Sequence, residues 1–344
     1  MAVDSENRQD VADLMKKSGI GSVGQFIAIV LRYGATLIMT NILGAAPYGL
    51  FVLGRTVALF GGLLSTVGMG PAVRKQIPTY LVKGDHDRIR LSIRFSLLLT
   101  LSCSLGTMVL LFLLAPTLAY HAFDNPDLVP VIRLFAFVVP LTSVLDIYLD
   151  IFKGYKQIAA FVWVKNLALP GLNILFLLLA GWTGGSVTSF ILAFVGAHVA
   201  SLLLSIVLRK KHPAAVVEPA AAPAEANTEP VKEEMLRFGL PLFFTSALDY
   251  VQRWTDTVML AWLLGMTATG IYGVSLRMAA FVALPLMAMN LIFSPLIAEV
   301  HARNDIERLR FNYQFVTKMV FSVSLFIFAI IFLFPHELLS MFGK

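Results

Sequence analysis

The sequence predicts an all-α polytopic membrane protein in two lobes, a six-helix first lobe and an incomplete, three-helix second lobe. Three observations predict it: nine long apolar runs, a one-sided placement of basic residues between them, and a repeat linking the start of the chain to its end. Hydrophobic residues make up 58% of the 344 residues and charged residues only 14%, against about 25% charged in an ordinary soluble domain. Mean hydropathy is +0.78. So few charges cannot clothe a soluble surface, and so apolar a chain does not stay disordered. The single cysteine, Cys103, excludes an intrachain disulfide.

A bilayer core of about 30 Å needs about 20 apolar residues in a helix. Nine runs reach that length: 20–42, 47–70, 95–118, 129–151, 159–181, 186–208, 238–262, 268–291 and 314–335. Backbone groups in lipid must be satisfied within the segment, so each run reads as a helix. Residues 1–19 carry Asp4, Glu6, Asp10 and Asp13 without a cleavage site after a short apolar core. They read as a cytoplasmic amphipathic N-terminus, not a signal peptide.

The segments on the N-terminal side of the membrane, here the first face, hold 19 of the 27 basic residues. The loops on the second face, about 43–46, 119–128, 182–185 and 263–267, hold none. The positive-inside rule puts the first face in the cytoplasm. The net charge of +6 therefore lines a membrane face, and nucleic acid is not an expected partner.

The repeat has an offset of about 221 residues. It aligns Leu43-Gly44-Ala45-Ala46-Pro47-Tyr48-Gly49 with Leu264-Gly265-Met266-Thr267-Ala268-Thr269-Gly270, and Arg32 with Arg253. Helices 1–3 thus resemble helices 7–9. The even number of intervening helices implies an axis along the membrane normal, with cargo handled between lobes. Residues 20–208 then form the first lobe and 237–344 a partial second lobe. The Ala-, Pro- and Glu-rich stretch 209–236 reads as a flexible cytoplasmic linker. If the second lobe copies the first, three more helices follow residue 344.

Charges inside the runs cost at least about 2.5–3.5 kcal/mol each at mid-bilayer and need a reason. The embedded cations are Arg32, Arg55, Lys165, Arg253 and Arg277, and the embedded anions are Asp146, Asp249 and Asp256. Asp146 and Lys165 lie at similar depths on neighbouring helices and form a candidate structural ion pair. Asp249, Arg253 and Asp256 share one helix face, so Arg253 can pair with either acid. Arg32 and Arg55 have no acid on helices 1 or 2. Two readings stand: every charge is matched by an interhelical partner, or surplus arginines surround a water-filled cavity that attracts an anion. Arginine suits phosphate because its fork donates two parallel hydrogen bonds. Enzyme signatures such as a glycine-rich phosphate loop, a His/Cys metal spacing or G-x-S-x-G are not present, so no enzyme is expected.

The segment Asn41-Ile42-Leu43-Gly44-Ala45-Ala46-Pro47-Tyr48-Gly49-Leu50-Phe51 resembles the helix 1–2 junction of Wzx-like polysaccharide-biosynthesis flippases. So do Phe238-Gly239-Leu240-Pro241, Asp249, Asp256, the stretch from Leu264-Gly265 to Gly270-Ile271-Tyr272, and Leu338 to Gly343. The resemblance implies two six-helix lobes, alternating access, and an undecaprenyl-pyrophosphate-linked oligosaccharide moved to the outer leaflet of the bacterial inner membrane. It assigns the pyrophosphate cavity to Arg32, Arg55, Arg253 and Arg277. It makes Asp249 and Asp256 candidates for coupling to H+ or Na+, with no other cofactor. Lipid-linked oligosaccharide and membrane lipids are the implied partners, with glycosyltransferases or a polysaccharide polymerase as candidates alongside. A cation-coupled multidrug antiporter of the same superfamily is the alternative.

Overall fold

The computed structural model describes residues 2–182, 184–211, 229–287, 289 and 306–342. Among them the regular elements are all helical: α1 (Ala2–Leu43), α2 (Ala45–Thr66), α3 (Met69–Val82), α4 (His86–Thr117), α5 (Leu128–Ala136), α6 (Val138–Gly154), α7 (Ile158–Val162), α8 (Leu169–Trp182), α9 (Val187–Lys211), α10 (Glu229–Val282), α11 (Ile306–Leu333) and α12 (Pro335–Ser340). Two π-helical turns, Leu118–Ala122 and Trp163–Ala168, complete them. Each lies beside a proline, Pro116 or Pro170, whose missing N–H interrupts the α-helical ladder.

Eight helical stretches among the described residues are long and apolar enough to cross a membrane, against nine runs expected. The difference lies in α10. Its 54 residues would extend about 80 Å if straight, more than twice a bilayer core. Gly265 breaks it with φ 79° and ψ −173°. Tyr272 then donates a hydrogen bond to Asp256, 16 residues earlier, a span of about 24 Å in a straight helix. The helix therefore doubles back at Gly265, and α10 holds two crossings.

That turn repeats an earlier one. Gly44, between α1 and α2, has φ 78° and ψ 178°, nearly the backbone of Gly265. Positive φ with extended ψ is open only to glycine, which accounts for the residue at both positions. The repeated segments also touch. Gly49 lies against the Met266 carbonyl, and Gly270 lies against the Ala45 carbonyl. The repeat pairs Gly49 with Gly270 and Ala45 with Met266, so each half makes the contact the other makes. Reciprocity of this kind is what a local two-fold produces. A Cβ at either glycine would run into the opposing carbonyl.

Around this seam, α2 is tied to its neighbours by hydroxyls. Ser65 Oγ donates to Gly61 O and lies 3.0 Å from Thr107 Oγ1 on α4, and Ser143 Oγ on α6 donates to Gly62 O at 3.1 Å. Small residues permit the close approach, and hydroxyls fasten helices where lipid offers no hydrophobic drive.

At the first face, α3 forms an amphipathic element separate from α2. Met69, Val73, Ile77 and Tyr80 repeat at helical spacing and pack on Ile89 and Ile93 of α4. The start of α10 docks on the same face, with Val231 and Met235 at 1% and 0% exposure. Glu234 accepts a hydrogen bond from Tyr80 at 3.0 Å, and burial with that carboxylate pushes the Tyr80 hydroxyl up to about 12. These observations correct the expected linker. Residues 229–236 are helical because Val231 and Met235, four apart, present one apolar edge to α3. Residues 209–211 close α9. The middle of the stretch, 212–228, lies outside the described residues, as does 290–305, where the ninth run's preceding loop falls. Residues 2–19 continue into α1 as helix.

Candidate functional site

Three arginines reach one hollow because each helix turns a single stripe toward it. On α1 the stripe is Arg32, Ala35, Thr36 and Met39; on α2 it is Tyr48, Phe51, Val52, Arg55 and Leu59. Both follow the i, i+3, i+4, i+7 spacing of one helix face. Arg277 arrives from the returning half of α10, and Asp146, Lys165 and His198 come from α6, the second π turn and α9. The cavity they line has a volume of about 280 Å³.

Charge is one-sided here. The lining holds four cations, Arg32, Arg55, Lys165 and Arg277, and one anion, Asp146. The anion is already engaged, with Lys165 Nζ 3.1 Å from Asp146 Oδ1. Among the described residues none of the three arginines has an acidic partner. Arg55 Nε is buried without any hydrogen-bond acceptor, and its guanidinium carbon lies 5.7 Å from the centre of the Phe194 ring. Arg277 and Arg32 both lie within electrostatic reach of Arg55, so the three repel one another. A low-dielectric wall magnifies that repulsion. The hollow is thus poised for a multivalent anion, which would convert repulsion into charge-assisted hydrogen bonds.

His198 is packed at 5% exposure, with Nδ1 2.8 Å from Phe194 O. That bond and the Phe194 ring, 4.2 Å away centre to centre, fix the imidazole against the cavity wall.

A second cavity, of about 480 Å³, adjoins the first on its first-face side. It shares Leu59, Thr142, Asp146 and Lys165 with the first cavity and continues to Arg74, Asp150 and Lys153. Lys153 Nζ is 3.2 Å and Arg74 Nε 3.9 Å from Asp150 Oδ1. A polar path therefore runs from the arginines to the first face. Toward the second face, α2 and α10 meet at the glycine seam, and toward the first face Gly68 lies against the Gly239 carbonyl.

The structure does not bring Arg253 into this group. Its Nη2 lies 2.9 Å from Asp249 Oδ2, both side chains are more than 60% exposed, and neither lines either of these two cavities. The reason is helix phase. Tyr250, Thr257 and Ala261 form the face of α10 turned to α2, with Tyr250 Oη donating to Thr56 O at 2.8 Å. Asp249 and Arg253 fall on the flank, where their four-residue spacing lets them neutralise each other. Asp256 also lies outside both cavities, accepting from Tyr272 and from the Thr257 amide at 2.7 Å. Arg253→Gln is therefore expected to leave the affinity for inorganic pyrophosphate within about twofold, since an exposed pair is worth under about 1 kcal/mol. Titration calorimetry on the purified variant checks this.

Two cations inside the apolar runs escaped the sequence reading, Arg133 and, in the run 314–335, Lys318. Arg133 on α5 sits 5.0 Å from the Phe112 ring centre, with Nε buried and unpartnered. Its signal was plain, a lone arginine inside the run 129–151. It lines neither cavity.

A helical membrane bundle with a charged internal cavity is the architecture of a membrane transporter. The chain belongs to the polysaccharide biosynthesis protein family, whose profile matches residues 14–301. Its fold is similar to an inward-facing multidrug resistance MATE family transporter of the MOP superfamily, at 16% identity and a TM-score of 0.63 over 92% of this chain and 72% of that one. An outward-facing transporter of the same description matches at 17% identity and 0.61, over 96% and 74%. A MOP superfamily transporter from Pyrococcus furiosus, described as having a binding pocket of reverse polarity that suggests a different function, matches at 19% and 0.61, over 96% and 74%. No curated protein matches the chain.

Proposed function

We propose that this protein flips an undecaprenyl-pyrophosphate-linked oligosaccharide from the cytoplasmic to the outer leaflet of a bacterial inner membrane, for polysaccharide assembly. The observation that carries the proposal is the cavity with three arginines lacking any acidic partner among the described residues. A diphosphate offers the paired oxygens that guanidinium forks bind bidentately. The lipid tail stays in the bilayer while the headgroup occupies the hollow. Two lobes, 20–208 and 237–344, would rock about an axis along the membrane normal. The reciprocal contact at Gly49 and Gly270 supports that symmetry. The basic first face is then cytoplasmic. In this reading, H+ or Na+ coupling falls to Asp249 and Asp256, away from the cargo, and glycosyltransferases supply the substrate.

Likeness to MATE transporters keeps cation-coupled drug efflux as a second reading. Organic cations favour an acidic cavity, and this one carries the opposite sign. Proteoliposomes distinguish the two. Fluorescent lipid-linked oligosaccharide is expected to become accessible to an impermeant quencher only when the protein is present, with no protein-dependent efflux of a cationic dye. Dye efflux without lipid movement would replace the first reading by the second.

A further inference from the structure

Asp146 and Lys165 are the charged residues common to both cavities. Their ion pair stands at the junction of the arginine hollow and the first-face vestibule, with the ammonium 3.1 Å from the carboxylate. The side chains are 35% exposed for Lys165 and 52% for Asp146, so the pair faces open cavity space and not packed protein. Both residues also line the hollow together with Arg32, Arg55 and Arg277. Lys165 rises from the π turn Trp163–Ala168, a helical irregularity common where a side chain must be re-aimed.

We propose that this pair is an exchangeable latch: an arriving diphosphate takes Lys165 from Asp146, so that the lysine becomes a fourth cationic ligand of the cargo. The inference rests on reading the cavity as a diphosphate site. An open, hydrated ion pair is held weakly. Lysine is a compact charge on a flexible stem with three donors, able to turn from one acceptor to another. A diphosphate carries more negative charge than a single carboxylate and is held by the arginines alongside. When the ammonium swings into the hollow, the junction between the cavities loses its bridge, and Asp146 is left facing the vestibule. Cargo binding and the widening of the path are then one event.

The test is titration of inorganic pyrophosphate into the purified full chain in lipid nanodiscs. Asp146→Asn removes the competing carboxylate and is expected to tighten binding about fivefold, the equilibrium worth of a solvated pair. Lys165→Gln is expected to weaken it by about tenfold. In the double variant the tightening disappears, because it acts through Lys165. A pair that only holds helices together gives another pattern: Asp146→Asn lowers the melting temperature and leaves affinity unchanged or weaker. That result overturns the latch even where Arg55→Ala still weakens binding, and the diphosphate reading then stands without it. If the wild-type protein binds no pyrophosphate, both fall. Asp146→Ser provides the same comparison should the Asn variant fail to fold.

Discussion

Arg55→Ala is expected to abolish cargo movement and, at the same time, to raise the thermal stability of the protein. The two effects have one cause. Arg55 is held in the hollow with Nε buried and unpartnered, facing Arg32 and Arg277. Removing it relieves like-charge repulsion and a desolvated donor, a gain on the order of 1–3 kcal/mol. The same truncation removes the charge-assisted hydrogen bonds offered to an anion, about 1.5–3 kcal/mol, or a tenfold to hundredfold loss of pyrophosphate affinity. A site that trades stability for function shows these opposite signs. Thermal melts and calorimetry on one preparation read both. A variant that melts lower and binds normally would mark Arg55 as a structural residue with an unseen partner. Arg55→Lys restores the charge without the fork and should recover only part of the affinity.

The second large effect is at the seam. Gly49→Ala or Gly270→Ala places a methyl group on an opposing backbone carbonyl, of Met266 or Ala45. A backbone group cannot swing aside as a side chain can, so this state loses about 3 kcal/mol or more. The bundle is then expected to shift about a hundredfold toward a form open at the second face. Spin labels at Ile42→Cys and Leu263→Cys, repeat-related and exposed beside the seam, read the change with Cys103→Ser as background. The inter-label distance should lengthen and flipping slow by more than about tenfold. An unchanged distance would show that the seam does not gate the second face.

How much of this was legible in the sequence varies by link. Membrane crossings were legible because length and hydropathy alone decide them. The doubling back at Gly265 was legible too, since the Leu-Gly turn repeats that at Gly44. Element α3 was not, because its apolar face meets α4 and the start of α10 rather than lipid, and hydropathy averages that face away. The docking of Val231 and Met235 was hidden by polar neighbours that look like linker. At the site, the absence of acids on helices 1 and 2 pointed to Arg32 and Arg55. Arg253 shows the limit. Its register in the repeat matches Arg32, but register does not state what a helix face meets, and the acid four residues before it decided its place. Lys165 was read only as half of a pair. That the pair opens onto two cavities is tertiary information.

The cavity is expected to select a polyanionic headgroup. The most direct test is equilibrium binding of a short-chain polyprenyl diphosphate beside a polyprenyl ammonium of the same length, each at low and high salt. The diphosphate is expected to bind at least about a hundredfold more tightly, with the preference weakening as salt screens the arginines. Equal or tighter binding of the ammonium lipid would contradict it.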